Sequence, residues 1–506
     1  MNSNTLSIKS PEFLQKSAKP GWLDRAARRI VLGKLAELQS GEVTIIENDR
    51  QQTFGRADAS FPVQATIEVK SAAFYGDIAF GGSIGACEAY IQDYWETSDP
   101  VALGRILLRN RSVLDRVEGG AALLTRPLQK AFHWLNRNTR RGSRRNISAH
   151  YDLGNDFYAL WLDPRMMYSC AWYEDESTTL EEAAVAKLDR ICQRLDLGPG
   201  DRVVEIGSGW GGFAMHAAGK YGCHVTTTTI SAEQYEYARQ RIEAAGLADR
   251  VNLLQKDYRD LEGSYDKLVS IEMIEAVGHE YLDTFFRKCS SLLKPAGELL
   301  IQSITIADQR YEFAKRNVDF IKRYVFPGGF LPSVTAMTSA MTCSTDMRAI
   351  CIEDIGPHYA RTLRDWRSRF FARIDDVRKQ GYSEEFIRLW DFYLSYCESA
   401  FLERTVGDIH LQNFILAALL LSIVNALVRP FAFLLTLPLT VVTLGLFIFV
   451  LNAAMFGLVA ALLDHFTVAG FWSALFGAII VSLTSTIASW FIGPEGRYEI
   501  YVGRRR

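Results

Sequence analysis

The 506-residue chain lacks several features that would fix its class at once. No two of its eight cysteines (Cys87, Cys170, Cys192, Cys223, Cys289, Cys343, Cys351 and Cys397) form a C-x-x-C pair, so a zinc or dithiol site has little support. It has no excess of basic residues. Lys and Arg number 56 against 58 Asp and Glu, a formal net charge of −2, whereas a nucleic-acid-binding domain is usually basic. Its first 21 residues are polar with several lysines and no apolar core, so they do not read as a secretory signal peptide. Reduced, cytosolic thiols are therefore expected. Finally, there is no charged residue between Arg429 and Asp464, and none between Asp464 and Glu495. Such runs belong in lipid.

What is present is a folding composition. Hydrophobic residues make up 48%, which excludes disorder. The length fits about three domains. Residues 1–135 read as a small mixed domain, with short strands at Val43–Glu47 and Ala65–Lys70. A turn is expected at Phe80–Gly85 and a helix over Cys87–Trp95. Arg137, Arg140, Arg141, Arg144 and Arg145 then crowd together. A run of this kind is either a solvated linker or a patch attracted to anionic lipid headgroups, and the apolar tail favours the second.

From about residue 200 strands and helices alternate. Asp201–Ile206, His224–Thr228, Val251–Gln255, Tyr265–Ile271 and Glu298–Ile304 read as strands, and Ser231–Ala245 as a helix. Alternation predicts a doubly wound α/β fold with a parallel sheet, binding its ligand at the carboxyl ends of the strands. The first strand runs into Glu205-Ile206-Gly207-Ser208-Gly209-Trp210-Gly211-Gly212. Glycines there let the backbone approach a ligand, and the next helix offers free N–H groups. The G-x-G-x-x-G spacing alone is weak. Two details favour S-adenosylmethionine over a nicotinamide dinucleotide. Glu205 precedes the first glycine by two residues, and the second strand ends in threonines rather than in an acid for a ribose. Thr229 and Gln234 follow; Ser231 and Gln234 also fit a capping box that helix initiation alone would explain. Asp257 and Tyr258, after the third strand, are expected on the adenine side.

The tail supplies the membrane expectation. Ile409–Val428, Pro430–Leu463 (34 residues, long enough for two short spans) and Phe471–Ile492 give four spans, with three as the alternative. Arg504, Arg505 and Arg506 would keep the end cytosolic, which requires an even number.

Several separated motifs resemble the cyclopropane-fatty-acyl-phospholipid synthases. They are His150–Tyr158, Met167–Ala171, Ser270–Glu280, Tyr324–Ser333, Pro357–Leu363 and, nearer the start, Gly82–Tyr90. The resemblance covers about 40–414 and implies a class I, Rossmann-like methyltransferase domain (136–412) behind a small N-terminal α+β lipid-side domain (1–135). It implies methyl transfer from S-adenosylmethionine to the cis double bond of a phospholipid acyl chain through a carbocation. Cofactor contacts implied are Tyr168, Ser169, Gly207, Gly209, Thr229, Gln234 and Tyr258, with Glu205, Gly211 and Asp257 in the same loops. Bicarbonate is implied as the base, held by Cys170, Glu275 and Tyr359. One position departs: the family's histidine is Gln302 here, and glutamine cannot carry a proton. Methylene- or methyl-branched products, a catalytically weakened scaffold and a tethered small-molecule methyltransferase therefore stand as alternatives. Cys397 matches a family cysteine assigned as catalytic, but nothing nearby would lower its pKa. The usual last strand looks cut short at Asp408–Leu411, and the tail (413–493, then a basic end at 494–506) resembles four-span holin-like membrane proteins. The expected setting is the cytoplasmic membrane, multi-pass, with the catalytic part cytosolic, the bilayer as partner, no nucleic acid and no metal. A homo-oligomer is left open.

Overall fold

In the computed structural model of the protein, residues 22–118 and 153–414 are described, with short pieces between 450 and 480. The expected boundary at 135, the arginine cluster and His150–Asp152 lie outside the described residues, as does most of the apolar tail.

The N-terminal unit runs α1 (Trp22–Leu35), β1 (Gly41–Glu47), β2 (Arg50–Arg56), β3 (Gln64–Val69), α2 (Ala73–Ile91), β4 (Trp95–Thr97), α3 (Pro100–Arg109) and α4 (Arg111–Glu118). Its sheet has the order β2-β1-β3-β4, with β1 and β3 parallel. Alternation in β1 and β3 turns Val43, Ile45, Ala65 and Ile67 into one core with Phe74 and Trp95. The segment expected to turn at Phe80–Gly85 is instead inside α2, which kinks at Gly82 (φ +61°, ψ −139°). A Cβ at Gly85 would lie 1.9 Å from the Asp77 carbonyl oxygen, so the glycines serve close backbone approach across the kink rather than chain reversal. The helix expected over Cys87–Trp95 is the second half of α2 and stops at Ile91; Trp95 opens β4.

The second unit contains α5 (Leu180–Arg194), β5 (Arg202–Ile206), α6 (Gly212–His216), β6 (His224–Thr228), α7 (Ala232–Ala244), β7 (Val251–Leu254), β8 (Tyr265–Ile271), α8 (Leu282–Leu292), β9 (Leu293–Ile306), α9 (Asp308–Arg316), α10 (Val334–Ser344), β10 (Arg348–Asp354), α11 (Gly356–Ala372), α12 (Glu384–Leu402) and β11 (Val406–Phe414). The sheet order is β10-β11-β9-β8-β5-β6-β7. β5 to β9 are parallel, and β10 and β11 are antiparallel. β5 lies between β6 and β8, so its glycine loop opens at the switch point of the sheet.

Two expectations are corrected by β11. The last strand is not cut short: it pairs with β9 from Val406↔Ile306 to Phe414↔Glu298 and with β10 on its other side. Ile409 and Leu411 pack in the core while Asp408 and His410, both fully buried, face the other way; Asn413, also fully buried, falls on the face of Ile409 and Leu411. Buried polar groups broke the apolar alternation that identifies a strand. For the same reason a membrane span cannot begin at Ile409. Among the described residues no helix is long and apolar enough to cross a membrane.

The two units share one boundary. Tyr90 Oη donates to Asp391 Oδ2 at 2.7 Å, Arg105 Nε to Glu403 Oε1 at 2.7 Å, and Gly104 of α3 lies against Ser399 of α12.

Candidate active site

A cavity of about 780 Å³ opens at the carboxyl ends of β5, β6 and β8 and continues between α1, α2 and α3 of the N-terminal unit. Its cofactor end is made by the glycine loop. Gly207 (φ +99°) and Gly209 (φ +49°) hold left-handed backbone, and open space surrounds a Cβ placed at Gly209. Tyr168, Ser169, Glu205, Gly207, Gly209, Thr229, Gln234, Asp257 and Tyr258 all line this space. Gly211 does not: it sits behind the loop, where a Cβ would meet Ala238 of α7 at 3.3 Å.

These side chains are already partnered, with one exception. Glu205 is buried and accepts from Thr227 Oγ1 at 2.5 Å; burial raises its carboxyl to about 7. Ser231 caps α7 by accepting from Gln234 N, while the Gln234 side chain turns to Thr229 Oγ1 at 3.0 Å, so the box is only half formed. Asp257 is clamped by Arg259 through Nε (2.8 Å) and Nη2 (2.6 Å). The buried Tyr258 hydroxyl has no partner and lines the cavity. A glycine cradle with an unsatisfied hydroxyl beside it fits an adenosyl ligand.

Past the loop lies a buried carboxyl cluster. Glu272, at the end of β8, stands in left-handed backbone (φ +46°). Its Oε1 accepts from Cys170 N at 2.8 Å and Gln302 Nε2 at 2.7 Å, and its Oε2 from Tyr359 Oη at 2.7 Å. Gln302 Nε2 also donates to Asp408 Oδ2 at 2.9 Å. His410 Nε2 lies 3.3 Å from Gln302 Oε1, fixing which way the amide points. Glu275 accepts from Ser303 Oγ (2.9 Å) and Ile304 N (2.6 Å), leaving Oε2 unpartnered. Burial first, then the Glu272 charge, pushes Glu275 up to about 8. Burial also raises Asp408 and Glu272 above their ordinary range. Lys187 of α5, fully buried, donates to Ser169 Oγ at 2.7 Å and is the nearby cation.

Cys170, Glu275, Gln302 and Tyr359 are thus brought together, but around Glu272, which sequence reasoning did not single out. Cys170 contributes its backbone N–H; its Sγ turns to the Ala171 and Ile355 carbonyls. Cys397 lines the cavity from α12, outside this bonded cluster, and burial pushes its thiol up. Around the cluster is an aromatic wall: Tyr168 Oη and Tyr393 Oη are 2.9 Å apart, and Tyr359 packs on Phe401 with centroids 4.5 Å apart.

Residues 138–411 match the family profile described as mycolic acid cyclopropane synthetase. The chain belongs to that family. It is an S-adenosylmethionine-dependent methyltransferase of the cyclopropane-synthase type. The cyclopropane-fatty-acyl-phospholipid synthase of Escherichia coli K12 is 36% identical over 350 residues, covering 68% of this chain and 86% of that protein. The tuberculostearic acid methyltransferase UfaA1 of Mycobacterium tuberculosis H37Rv is 38% identical over 329 residues, 63% of this chain and 76% of that one. The mycolic acid cyclopropane synthase CmaA1, solved with SAH and CTAB, superposes with a TM-score of 0.50 at 30% identity, covering 54% of this chain and 98% of the other. A second profile, mycobacterial 4 TMS phage holin, matches 395–487. Its first residues are the end of α12 and all of β11, so that match begins inside the methyltransferase fold.

Proposed function

We propose that this enzyme adds a methylene unit from S-adenosylmethionine to the cis double bond of phospholipid acyl chains, closing a cyclopropane ring, while held to the cytoplasmic membrane by its apolar tail. The observation that carries this reading is one continuous cavity that runs from the glycine loop to the mainly apolar side chains of the N-terminal unit, such as Val31, Ile67, Phe74 and Leu103. An acyl chain lying along the apolar end would bring its double bond past Tyr359 and Glu272.

Tyr168, Ser169, Gly207, Gly209, Thr229, Gln234, Asp257 and Tyr258 would hold the cofactor, which supplies an electrophilic methyl group. This chain's residues do the rest. The aromatic faces of Tyr168, Tyr359, Tyr393 and Phe401 stabilise the cation left on the acyl chain, and their packing keeps water from quenching it. The N-terminal unit supplies the apolar walls.

Bicarbonate has no ready place here. Of the residues expected to hold it, Cys170 (through its N–H) and Tyr359 (through its hydroxyl) are both bonded to Glu272, which leaves an anion only the unpartnered Oε2 of Glu275 beside two other buried carboxyls. A second product class is favoured by one residue: Gln302, in the family's histidine position, together with the likeness to a tuberculostearic acid methyltransferase, supports a methylene- or methyl-branched product from the same cation.

The tail would cross the membrane several times, four spans being the reading that keeps both ends cytosolic. The test is lipid analysis of cells expressing the chain. Unsaturated acyl chains should gain the mass of one CH2 unit, and proton NMR should separate ring protons from exocyclic methylene or methyl signals. Unchanged lipids from cells containing folded protein would refute the reading.

A further inference from the structure

We propose that the Glu272 carboxylate is the general base of this enzyme, in the place of an externally supplied anion. The inference rests on the lipid reaction above. Once the alkene has taken the methyl group, a proton must leave that methyl before the ring can close. The base has to carry a free lone pair, face the cavity and be held in place, and among the described residues no histidine lines the cavity.

Six acidic side chains line the cavity: Asp115, Glu205, Asp257, Glu272, Glu275 and Asp319. Asp115 is paired with Arg310 through both of its oxygens, and Asp319 accepts from Lys322 N at 2.9 Å. Asp257 is clamped by Arg259. Glu205 lies beneath the glycine loop, bonded to Thr227. Glu275 is a neutral acid near pH 7, raised by burial and by Glu272 itself. Glu272 alone receives three donors, from Cys170 N, Gln302 Nε2 and Tyr359 Oη. Two of these donors fill Oε1; Oε2, bonded to Tyr359, keeps the acceptor capacity to take a proton from the substrate, with the raised carboxyl of Asp408 also within reach of Glu272.

The neighbours fit that role. Tyr359, Cys170, Glu275, Asp408 and Lys187 surround Glu272, and His410 stands behind Gln302. Burial keeps His410 neutral, with its pKa lowered to about 3. Lys187 is the cation nearest the cluster, although burial lowers its pKa, and the three donors on Glu272 favour the negative charge there over Glu275 and Asp408. Gln302 makes the arrangement workable: an amide donates to Glu272 without competing for the proton. The backbone records the same demand. A non-glycine residue at φ +46° is held there against its preference, and this one places a carboxyl beside the glycine loop.

The step balances. The electron pair of one C–H bond of the added methyl becomes the second ring C–C bond and fills the cationic carbon. The proton goes to Glu272, which returns it to solvent after product release. If a hydride shifts first, the same proton transfer yields an exocyclic methylene instead.

The experiment uses the full chain, S-adenosylmethionine and dioleoylphosphatidylglycerol vesicles in CO2-free buffer. The wild type should turn over equally with and without added bicarbonate. Glu272→Gly, tolerated by the left-handed backbone, should lose activity by about 100-fold or more and regain part of it when bicarbonate is added. A second readout is binding of 13C-bicarbonate to the SAH-loaded protein by NMR: none for the wild type, binding for the variant. Bicarbonate-dependent turnover or bicarbonate binding by the wild type would overturn the proposal, as would full activity of Glu272→Gly. If the variant fails to bind SAH, the wild-type arms decide alone. If the wild type leaves lipid unchanged in every buffer, the lipid reading has failed, and the NMR arm still reports on the site.

Discussion

Replacing Glu275 with glutamine should make the protein's stability less sensitive to pH. Glu275 is fully buried, with only Ser303 Oγ and Ile304 N as donors, both on Oε1. Its carboxyl is raised from an ordinary 4.5 to about 8, by burial first and then by Glu272. Below both values the group is protonated in either state and adds nothing to the pH slope. Between them the unfolded chain has lost the proton that the folded one keeps. Each pH unit there lowers stability by about 1.4 kcal/mol, for about 5 kcal/mol across the window. Above about 8 both states are ionised and the loss levels off. Glutamine keeps the same acceptor for Ser303 and Ile304 and has no proton to lose. Carboxyls outside the cluster act equally in both proteins, so the difference reports Glu275 together with its coupling to Glu272 and Asp408. At roughly 2–4 °C per kcal/mol for a unit of this size, the variant should gain on the order of 10 °C in Tm over wild type between pH 5 and pH 8. Differential scanning fluorimetry across that range measures it. Parallel Tm profiles for the two proteins would refute the reasoning, because they would show Glu275 already ionised in the folded state.

Three further outcomes follow from the site. Cys397→Ser should retain kcat within severalfold, since a thiol whose pKa is raised by burial is a poor nucleophile; a loss of about 1000-fold would restore a catalytic role. Gly207→Ala should weaken SAH binding about tenfold or more by calorimetry, because a Cβ at φ +99° is strained by about 1–2 kcal/mol and meets Met273 Cγ at 3.0 Å. A chain ending after Phe414 keeps β11 whole, so it should still bind SAH. On fractionation it should leave the membrane pellet; if it stays there, the tail is not the anchor.

Much of this architecture was legible in the sequence, for identifiable reasons. β5, β6, β7 and β8 are apolar or β-branched runs closed by turn residues, and they fall within a residue or two of expectation. The glycine loop was legible because its spacing answers a backbone requirement. β2 was not, since Arg50–Arg56 buries only Phe54 and reads as polar. The middle of α2, Phe80–Gly85, reads as a turn in the sequence because its glycines signal chain reversal unless tertiary packing uses them for close contact. Glu272 escaped notice for a deeper reason. Its role depends on a left-handed backbone and on donors from Cys170, Gln302 and Tyr359, which are brought together only by the folded sheet and α11. Asp408 and His410 were visible, but as signs of a failing strand rather than as parts of a buried network.

The central claim is that one cavity joins the cofactor loop to an acyl chain. Its most direct measurement is mass spectrometry of dioleoylphosphatidylglycerol vesicles incubated with the purified full chain and S-adenosylmethionine. The account predicts acyl chains heavier by one CH2 unit each, with matching loss of olefinic proton signals. Vesicle lipid left unchanged by protein that binds SAH normally would contradict it.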